Sequence, residues 1–288
     1  MLDATAERLE SAHFNLREEI KRFWAVIDAK TARPETIFHY TSADALHSIV
    51  GKKQLWATEA LCMNDPTEGI HAGRLIAERL RHRTSEVPAH LLRLFSDEEL
   101  SEVLNNQVFL VSFCDAADLL SQWRAYGLDG RGYAIGFHTQ ALLDSASHGG
   151  RLVPVSYNHA ELEGLLTSII DFAVDEITRI KFNKEEFDTY WRFVGNYLLQ
   201  SVIRFKNPAY QEEREWRLIY YPSAGIAFRT SGGRIVPYIK VPFGSGAIKC
   251  IRLGPKCSSR DRRVLANYLR AVCGSGLPAI ENSVVPMA

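Results

Sequence analysis

The chain has 288 residues, 46% hydrophobic and 24% charged, which excludes a disordered or fibrous protein and fits an ordinary globular one. Its 34 Lys and Arg balance 34 Asp and Glu, so no global charge argues for nucleic acid or an acidic membrane surface. Five cysteines, odd in number and without a Cys-x-x-Cys pair, argue against a disulfide framework or a structural zinc and for reduced thiols.

In chain order, residues 1 to about 30 predict one amphipathic helix, because Leu9, Leu16, Ile20, Phe23, Trp24 and Ile27 recur at helical spacing. Acids near the start and the lack of an apolar run there argue against a signal peptide. "TIFHY" predicts a strand, then "TSADALHSIVGKK" a helix with Thr41 or Ser42 as N-cap and Gly51 as its stop. "QLWAT" is a second strand. Asp65, Pro66 and Glu68 form a capping box that opens a helix, and a looser helical region runs to about Asn106. "VFLVSF" is a buried strand, "LLSQWRAYG" a short helix stopped by Gly127, and "GYAIGF" and "RLVPVSY" further strands, the latter marked by Pro154 as an edge or bulge. Helices over about 159–181 and 185–205 make a hairpin, with Leu165, Ile169, Trp191 and Leu198 on their apolar stripes. "EWRLIYY", "RIVPYIKV" and "IKCIRLG" follow as strands, the first two joined by the loop "PSAGIAFRTSGG". A helix over about 259–273 and the strand "AIEN" complete the chain.

Strands from both ends with helices in blocks imply an α+β fold. Residues 1–35 are expected to pack as a helix on one domain, 36–288, which carries a helical insertion at about 159–205. No run approaches the roughly 18 apolar residues of a membrane span, so a cytoplasmic protein without a membrane partner is expected. The basic runs "RLRHR" and "RDRR" fall in helical segments and read as solvated faces.

Four stretches offer chemistry, each beside a plainer reading. His39 ends a strand ahead of a helix, where free N–H groups favour an anionic or hydroxyl-rich ligand; otherwise it bonds the backbone and Ser42 merely caps. Asn64 is left over by the capping box. Ser112 lies on a strand and lacks a glycine-rich elbow, and Trp123 and Tyr126 are either a wall for a flat ligand or aromatic core. Cys114 would need a base and a lowered pKa. In "YQEEREWR", a regular strand would put Glu213 and Glu215 on one face and Arg214 and Trp216 on the other. That pair is either two carboxylates with divided roles or a charged approach to a strand, with Arg214 and Arg217 as counterions.

Taken together, "IFHYTSADALHSIV", "QLWATEALCMNDPTEG", "VSFCDAADLLSQWRAYG", "GYAIGF" and "YQEEREWRLIY" resemble, in order and spacing, a bacterial domain-of-unknown-function family, number 2971, over about residues 36–255. Cys114 departs from its usual small polar residue, and Cys62 and Met63 from its usual apolar one. "IFHYTSADALHSIVGKKQL" more distantly resembles the first strand and helix of ADP-ribosyltransferase-type folds. That resemblance implies a mixed, mainly antiparallel central sheet and NAD as a substrate, with no metal. Glu215 would stand near the ribose and Glu213 would position an acceptor, while His39 held a ribose or phosphate oxygen. Tyr40, Trp123 and Tyr126 would flank a ring. Thr41, Ser42, Asn64 and Ser112 would complete the nucleotide site, and Lys206, Arg214 and Arg217 would meet phosphates.

Its setting would be a toxin or phage-defence effector modifying a nucleic acid or protein. The alternatives are a non-catalytic nucleotide-sensing or interaction module, and a metal-dependent hydrolase or nuclease using Glu213, Glu215, Asp65 and Glu68.

Overall fold

A computed structural model describes residues 2–63, 67–82, 108–145, 149–222, 224–274 and 276–287. The chain is α+β, and its contacts divide it into two compact units that exchange the chain repeatedly. One holds residues 1–32, 60–107 and 156–208; the other holds 33–59, 108–155 and 209–288.

The first unit is helical: α1 (Leu2–Ala29), α3 (Thr67–Arg81), α6 (His159–Ile180) and α7 (Lys184–Val202). Their apolar stripes meet in one core, where Leu16, Ile20 and Trp24 face Leu165, Ile169, Trp191 and Leu198. Burying each such side chain contributes roughly 1.5–3 kcal/mol. The N-terminal helix and the hairpin thus share a core that neither could close alone. Asn158 and Asn183 cap α6 and α7, the latter through a capping box with Glu186. Arg8 meets the fully buried Glu186 at 2.6 Å, tying α1 to the start of α7. The capping box expected at Asp65 and Pro66, Asn64, and the helical region expected up to Asn106 lie outside the described residues.

The second unit is built on a ten-stranded sheet, counted among the described residues. Its strands are β1 (Thr36–Thr41), β2 (Gln54–Glu59), β3 (Phe109–Cys114), β4 (Tyr133–His138), β5 (Arg151–Pro154), β6 (Glu215–Tyr220), β7 (Ala227–Ser231), β8 (Arg234–Pro242), β9 (Ile248–Leu253) and β10 (Ala279–Asn282). The order is β10-β9-β4-β1-β3-β2-β8-β7, with β6 paired to β3 and β5 to β6. Only β9–β10 is parallel, so the sheet is mixed and mostly antiparallel. β5 pairs with β6 alone, the edge position that Pro154 favours.

Alternation along the strands separates two faces. On one, Ile37, Val111, Phe113, Ile135, Trp216, Leu218 and Ile251 pack with Leu46, Ile49 and Val50 of α2 (Ala43–Lys52), Leu142 of α5 (Thr139–Ser145) and Leu265 and Leu269 of α8 (Ser259–Cys273). On the other, Phe38, Tyr40, Cys114, Ala134 and Cys250 surround Trp123 of α4 (Leu120–Ala125).

Two local expectations are corrected. α2 runs through Gly51 to Lys52, and Lys53 takes the left-handed position at φ 49°. One interior glycine costs only about 1 kcal/mol, less than the buried face that holds the turn returns. The loop expected between β6 and β8 contains a strand, β7, hairpinned to β8 across Gly232 and Gly233 (φ 55° and 77°). Two consecutive residues of positive φ make the turn whose twist suits antiparallel neighbours.

Candidate functional site

The site grows from the pairing of β3 with β6, which sets Ser112 opposite Arg217 and Cys114 opposite Glu215. Opposed and alternate residues share a face, so Ser112, Cys114, Glu215 and Arg217 project together. Ser112 Oγ donates to Glu215 Oε1 at 2.6 Å. Arg217 Nε donates to the same oxygen at 2.8 Å and its Nη2 to Oε2 at 3.0 Å, a two-pronged contact. Glu215 is 6% exposed and Arg217 5%. The guanidinium two residues away offsets the cost of burying that carboxylate. Arg217 therefore serves Glu215, the counterion role left open for it above.

The expected strand pairing of Glu213 with Glu215 is corrected. Pro208–Glu213 forms a 3₁₀ helix and Arg214 is left-handed at φ 49°, so β6 begins only at Glu215. The period-two rule does not carry across that turn. Glu213 is held from another direction: Tyr126 Oη donates to its Oε1 at 3.2 Å, and Gln122 Nε2 to its carbonyl at 3.4 Å. Arg214 Nε pairs with Asp115 at 2.6 Å, on the segment that leaves β3.

His39 stands on the other face. Phe38 pairs with Cys114 and Cys114 with Glu215, so Phe38 and Tyr40 share the Glu215 face and His39 does not. His39 and Glu215, expected to serve one ligand, thus lie on opposite faces of the sheet. The His39 ring packs edge-on to Phe113, and Nδ1 lies 3.0 Å from the Ser112 carbonyl oxygen. Burial lowers the His39 pKa below its ordinary 6.5, against an opposing pull from that carbonyl. Ser112 thus links both groups, through its backbone on one side and its hydroxyl on the other.

Tyr40 and Trp123 are aromatic core rather than open walls. Tyr40 Oη donates to the Ala116 carbonyl at 2.9 Å and accepts from the Leu119 N–H at 3.0 Å, which pins the loop between β3 and α4. Trp123 is fully buried, edge-on to Tyr40, with Nε1 donating to Asp118 at 2.7 Å. Asp118 also accepts from Ser283 Oγ at 2.6 Å and the Val284 N–H at 2.7 Å. Burial alone would raise its pKa; these hydrogen bonds and Arg252 outweigh burial and hold it below the ordinary carboxylate value.

Thr41 is buried at the end of β1, and Ser42 accepts from the Ala45 N–H at 3.2 Å as the N-cap of α2. Burial pushes the Cys114 thiol up to about 12, the opposite of an activated nucleophile. Lys206 belongs to the helical unit, where its N–H donates to the Ser156 carbonyl. The sequence reading missed Gln122, whose one signal is that Tyr126 follows it by four residues on a short helix. It also missed the anchoring role of Asp118. Among the described residues, no group of three or more His, Cys, Asp or Glu side chains is placed to hold a metal ion. None of their helices is long and apolar enough to cross a membrane.

No curated protein and no solved structure matches the chain. The model of one family, described as "Protein of unknown function (DUF2971)", matches residues 122–218. That segment contains Gln122, Trp123, Tyr126, Glu213, Glu215 and Arg217, while His39 and Ser112 precede it. Over residues 122–218, which end in the carboxylate cluster, the chain is similar to the DUF2971 family.

Proposed function

We propose that the chain is an ADP-ribosyltransferase-like enzyme that cleaves NAD at the nicotinamide–ribose bond, with Glu215 as its central carboxylate. The observation that carries this reading is the 2.6 Å hydrogen bond from Ser112 Oγ to Glu215, which fixes the carboxylate from the neighbouring strand. When the C1′–N bond breaks, its electron pair leaves with nicotinamide and positive charge builds on the ribose. A fixed, poorly solvated carboxylate stabilises that charge at little reorganisation cost. The acceptor, a nucleic acid or a protein, then bonds to C1′ and gives up a proton. Glu213, oriented by Tyr126, is the group assigned to position the acceptor. His39 acts in this reading only through the Ser112 carbonyl.

The test is nicotinamide release from labelled NAD in the presence of DNA, RNA and protein acceptors. Glu215→Gln abolishes release and Ser112→Ala reduces it, while both variants retain a cooperative melt. Absence of release by the wild-type protein with every acceptor refutes the reading.

One observation favours a second reading, a non-catalytic nucleotide-sensing or interaction module. Arg217 occupies both oxygens of Glu215, as in an ion pair that only supports the fold. In that case NAD or another nucleotide binds without turnover, and Glu215→Gln alters melting alone.

A further inference from the structure

α8 carries a line of cations that the site does not use. Arg260, Arg263 and Arg270 are exposed and spaced by three and seven residues, which keeps them on one side of the helix. Beyond the start of α8, Lys256 pairs with Asp129 at 2.8 Å, and Arg131 and Arg124 also act on that carboxylate. Asp129 is taken by Lys256, and Asp261 is taken by the Ser258 cap, where it accepts at 2.7 Å from the backbone N–H and from Oγ. Among the described residues, Arg124, Arg131, Arg260, Arg263 and Arg270 have no carboxylate at ion-pair distance. Five guanidinium groups without an ion pair, on a chain of zero net charge, outnumber the nearby carboxylates Asp129 and Asp261.

We infer that the arginines of α8, with Lys256, Arg131 and Arg124 beyond its start, are a docking surface for the phosphate backbone of a nucleic acid. The ten helical steps from Arg260 to Arg270 span about 15 Å of helix axis. One strand of a duplex offers about four phosphates over that length, a match for three arginines. Guanidinium groups bind phosphate in a two-pronged way that lysine does not reproduce. A membrane fits less well. Leu265 and Leu269 of α8 are buried in the sheet core, and its exposed side offers Val264 and Val272, 60% and 36% exposed, and no aromatic anchor. A protein partner would want a large aromatic anchor at the centre of the patch; the exposed apolar residues beside these arginines are Leu128, Val264 and Val272, none of them aromatic. The inference stands independently of NAD chemistry.

The test is fluorescence anisotropy with a labelled mixed-sequence duplex, the matching single strand and an RNA of equal length, titrated across salt. Phosphatidylserine vesicles and polyglutamate serve as competing anions. The wild-type protein binds nucleic acid with a steep salt dependence. Arg260→Gln/Arg263→Gln/Arg270→Gln lowers the log–log salt slope on duplex by about 2.7, or about 40-fold in affinity change between about 50 and 200 mM salt. Its melt is unchanged, since all three side chains are exposed. A control, Arg22→Gln/Arg192→Gln, binds as the wild type does. The inference is overturned if no nucleic acid binds at low salt, if the triple variant keeps the wild-type slope, or if only vesicles or polyglutamate bind.

Discussion

Replacing Arg217 by Met tests the Glu215 cluster most directly. The substitution keeps the length and much of the apolar stem but removes both guanidinium contacts, at 2.8 and 3.0 Å. Glu215, 6% exposed, then keeps the Ser112 hydroxyl and loses this guanidinium. Breaking a buried pair from one side costs about 3–5 kcal/mol, because the surviving charge stays desolvated. At about 2–4 °C per kcal/mol for a domain of this size, the melting point falls by roughly 6–20 °C. Removing both charges together, as Glu215→Gln/Arg217→Met, takes out the pair as a whole, so the double variant melts above Arg217→Met alone. The coupling between the two positions is about 2 kcal/mol or more. Urea denaturation at neutral pH supplies the measurement, since urea is uncharged and leaves the ionic strength unchanged. If Arg217→Met lies within about 1 kcal/mol of the wild type, or the two changes simply add, Arg217 does not neutralise Glu215.

Two further outcomes follow from the same sheet. A Cβ on Gly132 would lie 2.4 Å from the Thr41 carbonyl oxygen and 2.8 Å from that of Gly127, both main-chain atoms that cannot rotate away. Gly132→Ala therefore costs at least the usual 1–3 kcal/mol or so of overpacking, read as a lowered melting point; an unchanged melt refutes the contact. His39 titrates below its ordinary 6.5 in the fold because it is buried, so the unfolded chain binds its proton first as pH falls. Stability contributed at His39 is thus present above pH 6.5 and is lost as pH falls from there toward the folded value. His13 shifts in the same direction, so the quantity to measure is the difference between wild type and His39→Gln across that window. A constant difference refutes the assignment.

What the sequence disclosed depended on range. The stripe of Leu16, Ile20 and Trp24, and those of the hairpin, are repeats within one helix, and each became a face of the helical core. Pro154 marked an edge through its missing N–H, also a local property. The face occupied by His39 was not legible. It follows from the order β1-β3-β6, and the contacts that reveal it join residues 73 and 103 positions apart. Nor was the break before Glu215, since nothing in "EEREW" signals that Arg214 turns left-handed. The β7–β8 hairpin is a different case: Gly232-Gly233 between alternating residues is a local turn signal that "TSGG" carried all along.

The matched family segment begins within α4 and ends within β6, and so contains β4 and β5 without β1, β3 or β9. Cut out as a fragment, it would strand β4 between two missing neighbours and leave the β3-facing edge of β6 open. Such bare ladders recruit other chains, and the expected product is an aggregate rather than a small enzyme. Ser112, which holds Glu215 in place, would be lost with β3. What sequence comparison detects in this chain is a signature threaded through a larger sheet, and any chemistry at Glu215 belongs to the sheet.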